Sequence, residues 1–174
     1  MHMNDHVSAL TSIRDPLVGR IVRFLVSIGL PVTSLESPDP TFLPGIGIQN
    51  GTLTIDEQRL LYPGDLLHEA GHLAMLPPSQ RSHADGNMGD DAGLEMAAIA
   101  WSYAAAIHLG VPLEVVFHDA GYRGGSQAIL KNFADGRYIG GPLLEWAGLT
   151  ATQKRAQTLG VNPYPSMLHW LRKE

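Results

Sequence analysis

The chain has 174 residues, 44% of them apolar and 17% charged, with a formal charge of −5 and no cysteine. Such a chain forms one compact domain over 1–174 with its own core, which excludes a disordered polymer, a disulfide or thiolate-metal framework and a phosphate-tracking nucleic-acid surface. Any transition metal would have to be held by His, Asp and Glu, and the 19 glycines and 12 prolines imply many turns.

The first ten residues, MHMNDHVSAL, show neither the basic nor the apolar region of a secretory signal, so the expectation is a cytoplasmic protein. The longest nearly unbroken apolar stretch, 96–107, falls short of the roughly 20 residues that a membrane span needs. Asp15 and Pro16 open a predicted helix whose Leu17, Ile21, Phe24, Leu25 and Ile28 recur at helical spacing, and Gly29 and Pro31 end it. The three prolines of 34–44 read as an irregular surface connection. Ile46 and Ile48, then Asn50-Gly51, then Leu53 and Ile55 spell a two-residue hairpin with alternating apolar faces.

Asp65 is the expected N-cap of a second helix running to about Leu76, where Pro77-Pro78 stop it, and 79–90 reads as a polar loop. Asp90 or Asp91 then caps a long alanine-rich helix ending at Gly110, whose Trp101 and Ile107 fall to the core. Shorter helices are expected at 112–118, 126–135 with Ser126 as cap, 143–147, 151–159 and 166–174; the last of these is expected to dock on its own domain. The fold class is α+β: an α-rich single domain with a small antiparallel hairpin or sheet.

Charge is unevenly spread along the chain. Residues 56–95 carry a local charge of −6, whereas the last 24 residues carry +3, so the middle of the chain favours a cation. Within the second helix lies His68-Glu69-Ala70-Gly71-His72. Residues four apart on a helix lie one above the other, so both imidazoles can meet one ion, while Glu69 can reach a water beside it. Chance would give this pattern in about 1 to 2% of chains of this composition, so it is treated as chemistry.

A catalytic zinc takes three protein ligands and keeps one position open. The third ligand is expected from Glu95, early in the alanine-rich helix; Asp91 on the same face and Asp90, Asp85 and His83 in the loop are rivals. His118, Tyr122 and Arg123 form a polar cluster further along, a candidate source of an oxyanion donor. The glycine-rich 121–127 reads as a turn and helix cap rather than an anion cradle.

His-Glu-x-x-His followed by a glutamate on the next long helix resembles the gluzincin group of zincin metallopeptidases, over roughly 45–109. The resemblance implies a zincin-like domain that packs its sheet on the active-site helices and binds Zn2+ through His68, His72 and Glu95. Glu69 would be the general base for peptide or amide hydrolysis, and a peptide or protein would be the substrate. The chain departs from the group at one position, and the metzincin variant is excluded. Where the group often carries an aspartate that supports a ligand histidine, this chain has Ile99, leaving Asp91 as the expected supporting carboxylate. The metzincin glycine and third histidine positions are Met75 and Pro78. The competing expectations are a zinc-bound interaction module without hydrolytic activity and a metal-free helical interaction protein.

Overall fold

The computed structural model describes residues 13–35, 41–88 and 91–174; Asp90 therefore lies outside the described residues. The first helix, α1 (Pro16–Ser27), starts as its sequence predicts. Asp15 Oδ1 accepts from the Leu17 and Val18 amides, satisfying orphan donors of the first turn, and Val18, Ile21, Val22 and Leu25 turn one face to the core.

Three short strands follow: β1 (Val32–Ser34), β2 (Ile46–Gln49) and β3 (Thr52–Ile55). The expected hairpin is β2–β3, with Asn50 and Gly51 at φ 47° and 71°, the positive values that a tight two-residue turn requires. Its register pairs Ile46 with Ile55 and Ile48 with Leu53, so the alternating apolar residues share one buried face. The sheet is mixed, because β1 adds to the far edge of β3 in parallel, Val32 against Leu53. That strand has only three residues and no visible alternation; its partner supplies what its sequence does not.

The second helix, α2 (Asp65–Met75), carries the His-Glu-x-x-His motif and is buried from Leu66 to Met75. Its N-cap is Gly64 and it has no side-chain cap, because the Asp65 carboxylate bonds to His118 instead. At the other end Arg81 donates to the carbonyls of Leu73, Leu76 and Arg172, which satisfies orphan acceptors of the last turn and ties the C-terminal segment to it. Pro78 does not merely stop α2; it opens a one-turn helix, α3 (Pro78–Arg81), at the position where proline's fixed φ suits a helix. The predicted polar loop is thus partly helical.

Helix α4 (Ala92–Leu109) begins at the Asp91 cap, whose Oδ1 accepts from the Leu94 amide, and ends at Gly110 with φ 63°. Its alanines from Ala97 to Ala106, Trp101 and Tyr103 are buried, but Ile107 is 49% exposed, which corrects its assignment to the core stripe. More of α2 lies against α4 than against any other element. The reason is Gly71, where a Cβ would lie 2.9 Å from both Cα and O of Ala98; only glycine lets the two backbones approach so closely. The remaining helices are α5 (Leu113–Val116), α6 (Ser126–Ala134), α7 (Gly141–Trp146) and α8 (Gln153–Leu159).

Two local expectations fail. Ser126 is the first residue of α6 and not its cap, since its hydroxyl donates to the His118 carbonyl at 2.6 Å. The segment 166–174 is not helical. Its amides at Leu168 and Arg172 pair with the carbonyls of Leu149 and Ala74, and Trp101 Nε1 donates to the Trp170 carbonyl, so tertiary partners replace the ladder that so short a helix would struggle to nucleate. It does dock on its own domain, with the Trp170 ring edge-on to Phe24 and Trp101. The result is an α-rich α+β domain around one hydrophobic core, and among the described residues no helix is long and apolar enough to cross a membrane.

Candidate metal centre

The two motif histidines sit one turn apart on the same face of α2. Their Nε2 atoms are 3.2 Å from each other, with the rings nearly perpendicular at 89°. Glu95, in the first turn of α4, straddles them: one carboxylate oxygen lies 3.4 Å from His68 Nε2 and the other 3.3 Å from His72 Nε2. Those two contacts hold the Glu95 carboxyl far below the usual carboxylate range.

Tetrahedral zinc bound to imidazole nitrogen and carboxylate oxygen at about 2.0–2.1 Å needs donor atoms about 3.3–3.4 Å apart. The spacings of 3.2, 3.3 and 3.4 Å among His68, His72 and Glu95 agree with that requirement, and the donor set of two imidazoles and a carboxylate suits the ion. The residues present therefore fit a zinc ion.

Glu69 also falls within 4.8 Å of the histidine donor atoms, so His68, Glu69 and His72 make a second metal-capable trio on one helix. Glu95 is the better third ligand, because its oxygens stand at hydrogen-bond range of both rings, whereas Glu69 has no hydrogen bond or ion pair among the described residues. Glu69 is only 6% exposed, and burial pushes its carboxyl above the ordinary value against the opposing pull of His68 and His72. A buried carboxylate without a partner costs stability, and such groups concentrate where a proton must be moved.

The second coordination layer differs from the sequence expectation. Asp91 is exposed and occupied by the helix cap, so it supports neither imidazole. Tyr122 does: in the tautomer that frees Nε2 for a cation, His68 Nδ1–H donates to Tyr122 Oη at 3.3 Å. Burial raises the Tyr122 phenol far above its usual value, so it remains a neutral hydroxyl. His72 Nδ1 is buried with no partner among the described residues.

His118 lies in the same cleft but does not offer an oxyanion donor. Its Nε2–H donates to Asp65 Oδ1 at 3.0 Å, its Nδ1 is buried, and its ring stacks on Tyr62 at 3.8 Å with 5° between planes. It is a wall that holds Asp65. Asp65 itself had a visible signal, since it stands one helical turn before His68 on the same face; its reading as a cap hid it. The rivals for the third ligand are engaged elsewhere: Asp85 accepts from the Asn50 amide of the hairpin, and His83 Nδ1 faces the Ser79 carbonyl and Ser82 hydroxyl.

His68, Glu69, His72, Glu95, Asp65, His118 and Tyr122 line one open cleft of about 780 Å³, walled on its apolar side by residues such as Phe42, Leu43, Ile99 and Ile129. Tyr122 and Arg123 approach it from a 3₁₀ turn (Tyr122–Gly124). Both have φ 53°, a left-handed conformation that costs a non-glycine residue about 1–2 kcal/mol and that aims the Tyr122 hydroxyl at His68. Compared with known proteins, the chain matches no family model, no curated protein and no solved structure.

Proposed function

We propose that the protein is a zinc-dependent, metallopeptidase-like hydrolase that cleaves peptide or amide bonds, as the likeness of its motif to the gluzincin pattern implies. One observation carries the reading: His68, His72 and Glu95 converge at 3.2–3.4 Å beside a buried Glu69 that has no hydrogen bond or ion pair among the described residues, at the floor of a cleft large enough for a peptide segment. His68, His72 and Glu95 would hold the ion. Zinc, when bound, supplies a Lewis acid that acidifies water and polarises a carbonyl oxygen.

The chain's own residues do the rest. Glu69 accepts the proton of the attacking water on its carboxylate and returns it to the leaving nitrogen, a task favoured by its raised pKa. Tyr122 fixes the His68 tautomer so that Nε2 keeps its lone pair toward the site. His118 and Tyr62 hold Asp65 away from the ligand set through the hydrogen bond and the stack. The apolar wall provides a binding surface for substrate side chains and excludes water from one side.

The test combines elemental analysis with digestion of a broad peptide library. Wild-type protein is expected to carry one zinc per chain and to cleave a subset of peptides; Glu69→Gln keeps the zinc and loses cleavage. A wild-type protein that carries no zinc, or cleavage that survives Glu69→Gln, refutes the reading. The unpartnered His72 Nδ1 favours a second reading, a zinc-binding interaction module without turnover, since ligand imidazoles ordinarily donate their second N–H. Full zinc occupancy with no cleavage in the wild type would select it.

A further inference from the structure

Arg123 is the one Arg or Lys among the described residues that line the cleft. It is exposed and makes no ion pair among the described residues, although the chain has 17 acids against 12 bases and three carboxylates share the cleft. Each of those three is withheld from it. Asp65 is paired with His118, Glu95 faces the two imidazoles, and Glu69 is buried. An exposed guanidinium beside an apolar wall, with no internal partner, is a ready receptor for a planar anion.

Its position relative to the metal centre is set by its neighbour. The Tyr122 hydroxyl reaches the His68 ring at 3.3 Å, and Arg123 is the next residue of the same turn, lining the same cleft. An anion held there lies in the same cleft as the ligand histidines. Gly121, Gly124 and Gly125 flank the pair, and a Cβ at Gly124 would have nothing within 4 Å, so the approach to Arg123 is open.

We infer that Arg123 is a substrate-carboxylate receptor, and that the preferred substrate is a peptide with a free carboxylate that reaches this wall of the cleft, either its C-terminal α-carboxylate or an Asp or Glu side chain. The inference rests on the proposed hydrolase reading, but binding tests it without turnover. Three peptides serve as probes: acetyl-Ala-Phe-Leu with a free C-terminus, its C-terminal amide, and acetyl-Ala-Phe-Glu amide. Each is titrated by NMR shift perturbation against the full chain, metal-free and zinc-supplemented, and each is also offered for cleavage. The metal-free arm removes direct binding of the carboxylate to the ion.

At least one of the two carboxylate peptides is expected to bind the metal-free protein about tenfold more tightly than the neutral amide, the size of one charge-assisted contact. Which of them does so identifies the source of the carboxylate. Arg123→Ala abolishes the preference and Arg123→Lys keeps part of it. Equal binding of all three peptides, no detectable binding of any, or a preference that survives Arg123→Ala overturns the assignment. Carboxylate-selective binding with no cleavage by zinc-supplemented wild type refutes the hydrolase reading and leaves the receptor standing; cleavage indifferent to the carboxylate does the reverse.

Discussion

Gly71→Ala changes no ligand, yet it is expected to weaken the metal centre. The added Cβ would lie 2.9 Å from Cα and O of Ala98, and carbon atoms in good contact are about 3.5–4.0 Å apart. The two helices must therefore part locally by about 0.6 Å or more, taking Glu95 on α4 away from His68 and His72 on α2. Metal sites tolerate departures of only about 0.2 Å from ideal ligand distances, so the shift exceeds the tolerance about threefold. Zinc affinity should fall by about 10- to 100-fold, the range seen when ligand orientation is disturbed. The metal-free fold changes less, because overpacking costs about 1–3 kcal/mol while alanine regains about 0.8–1 kcal/mol of helix propensity over glycine. Ala98→Gly should not rescue the variant, since the obstructing atoms belong to the backbone. Competition against a chelating dye, with thermal melts of the metal-free protein, measures both quantities. Unchanged zinc affinity in Gly71→Ala would refute the claim that this contact sets the site.

Three further outcomes follow from the same geometry. Asp91→Ala and Glu95→Ala should behave in crossed fashion: the first loses the α4 cap, about 1 kcal/mol in urea unfolding, with little effect on zinc, and the second loses zinc stoichiometry while keeping the cap; the reverse ranking would interchange their roles. Tyr122→Phe removes the acceptor for His68 Nδ1–H and should lower zinc affinity about tenfold with the circular dichroism spectrum unchanged; wild-type affinity would show that the 3.3 Å contact does not orient the ring. In metal-free protein the Glu69 carboxyl is raised by burial, so the folded state holds its proton more tightly than the unfolded state and stability declines as pH rises through and above the ordinary glutamate pKa. Glu69→Gln should therefore stabilise the metal-free chain at pH 7 and lose that advantage in acid, where the wild-type carboxyl is protonated too; an equal change at both pH values would contradict the assignment.

Much of the site was legible because its parts are local. His68, Glu69 and His72 lie within five residues of one helix, and a 3.6-residue period alone places both imidazoles on one side. Glu95 was legible for a weaker reason, its place at the start of the next long helix. Asp91 shows the limit of such reasoning: it shares a helix face with Glu95 by spacing, yet its carboxylate turns to the Leu94 amide, because a residue just before a helix finds an unpaired N–H closer than any imidazole. His118 and Tyr122 were visible as polar residues near one another, but their roles depend on which ring nitrogen meets which oxygen. Spacing carries no information about that.

The local grammar of the chain was determined by sequence: the Asp15 cap and Pro16 of α1, the Asn50-Gly51 turn, the motif on α2, the Asp91 cap and Gly110 stop of α4. Each is a preference of a residue for its own backbone or its near neighbours, and each operates within a turn or two of the chain. Tertiary structure alone decided that β1 joins β3, that the last nine residues run as a non-helical tail docked on the domain, and that Tyr122 supports His68 while Arg123 has no ion pair among the described residues. Those outcomes depend on contacts between residues 20 to 100 positions apart, where a backbone amide, a phenol or a guanidinium takes the best partner that packing brings within about 3 Å.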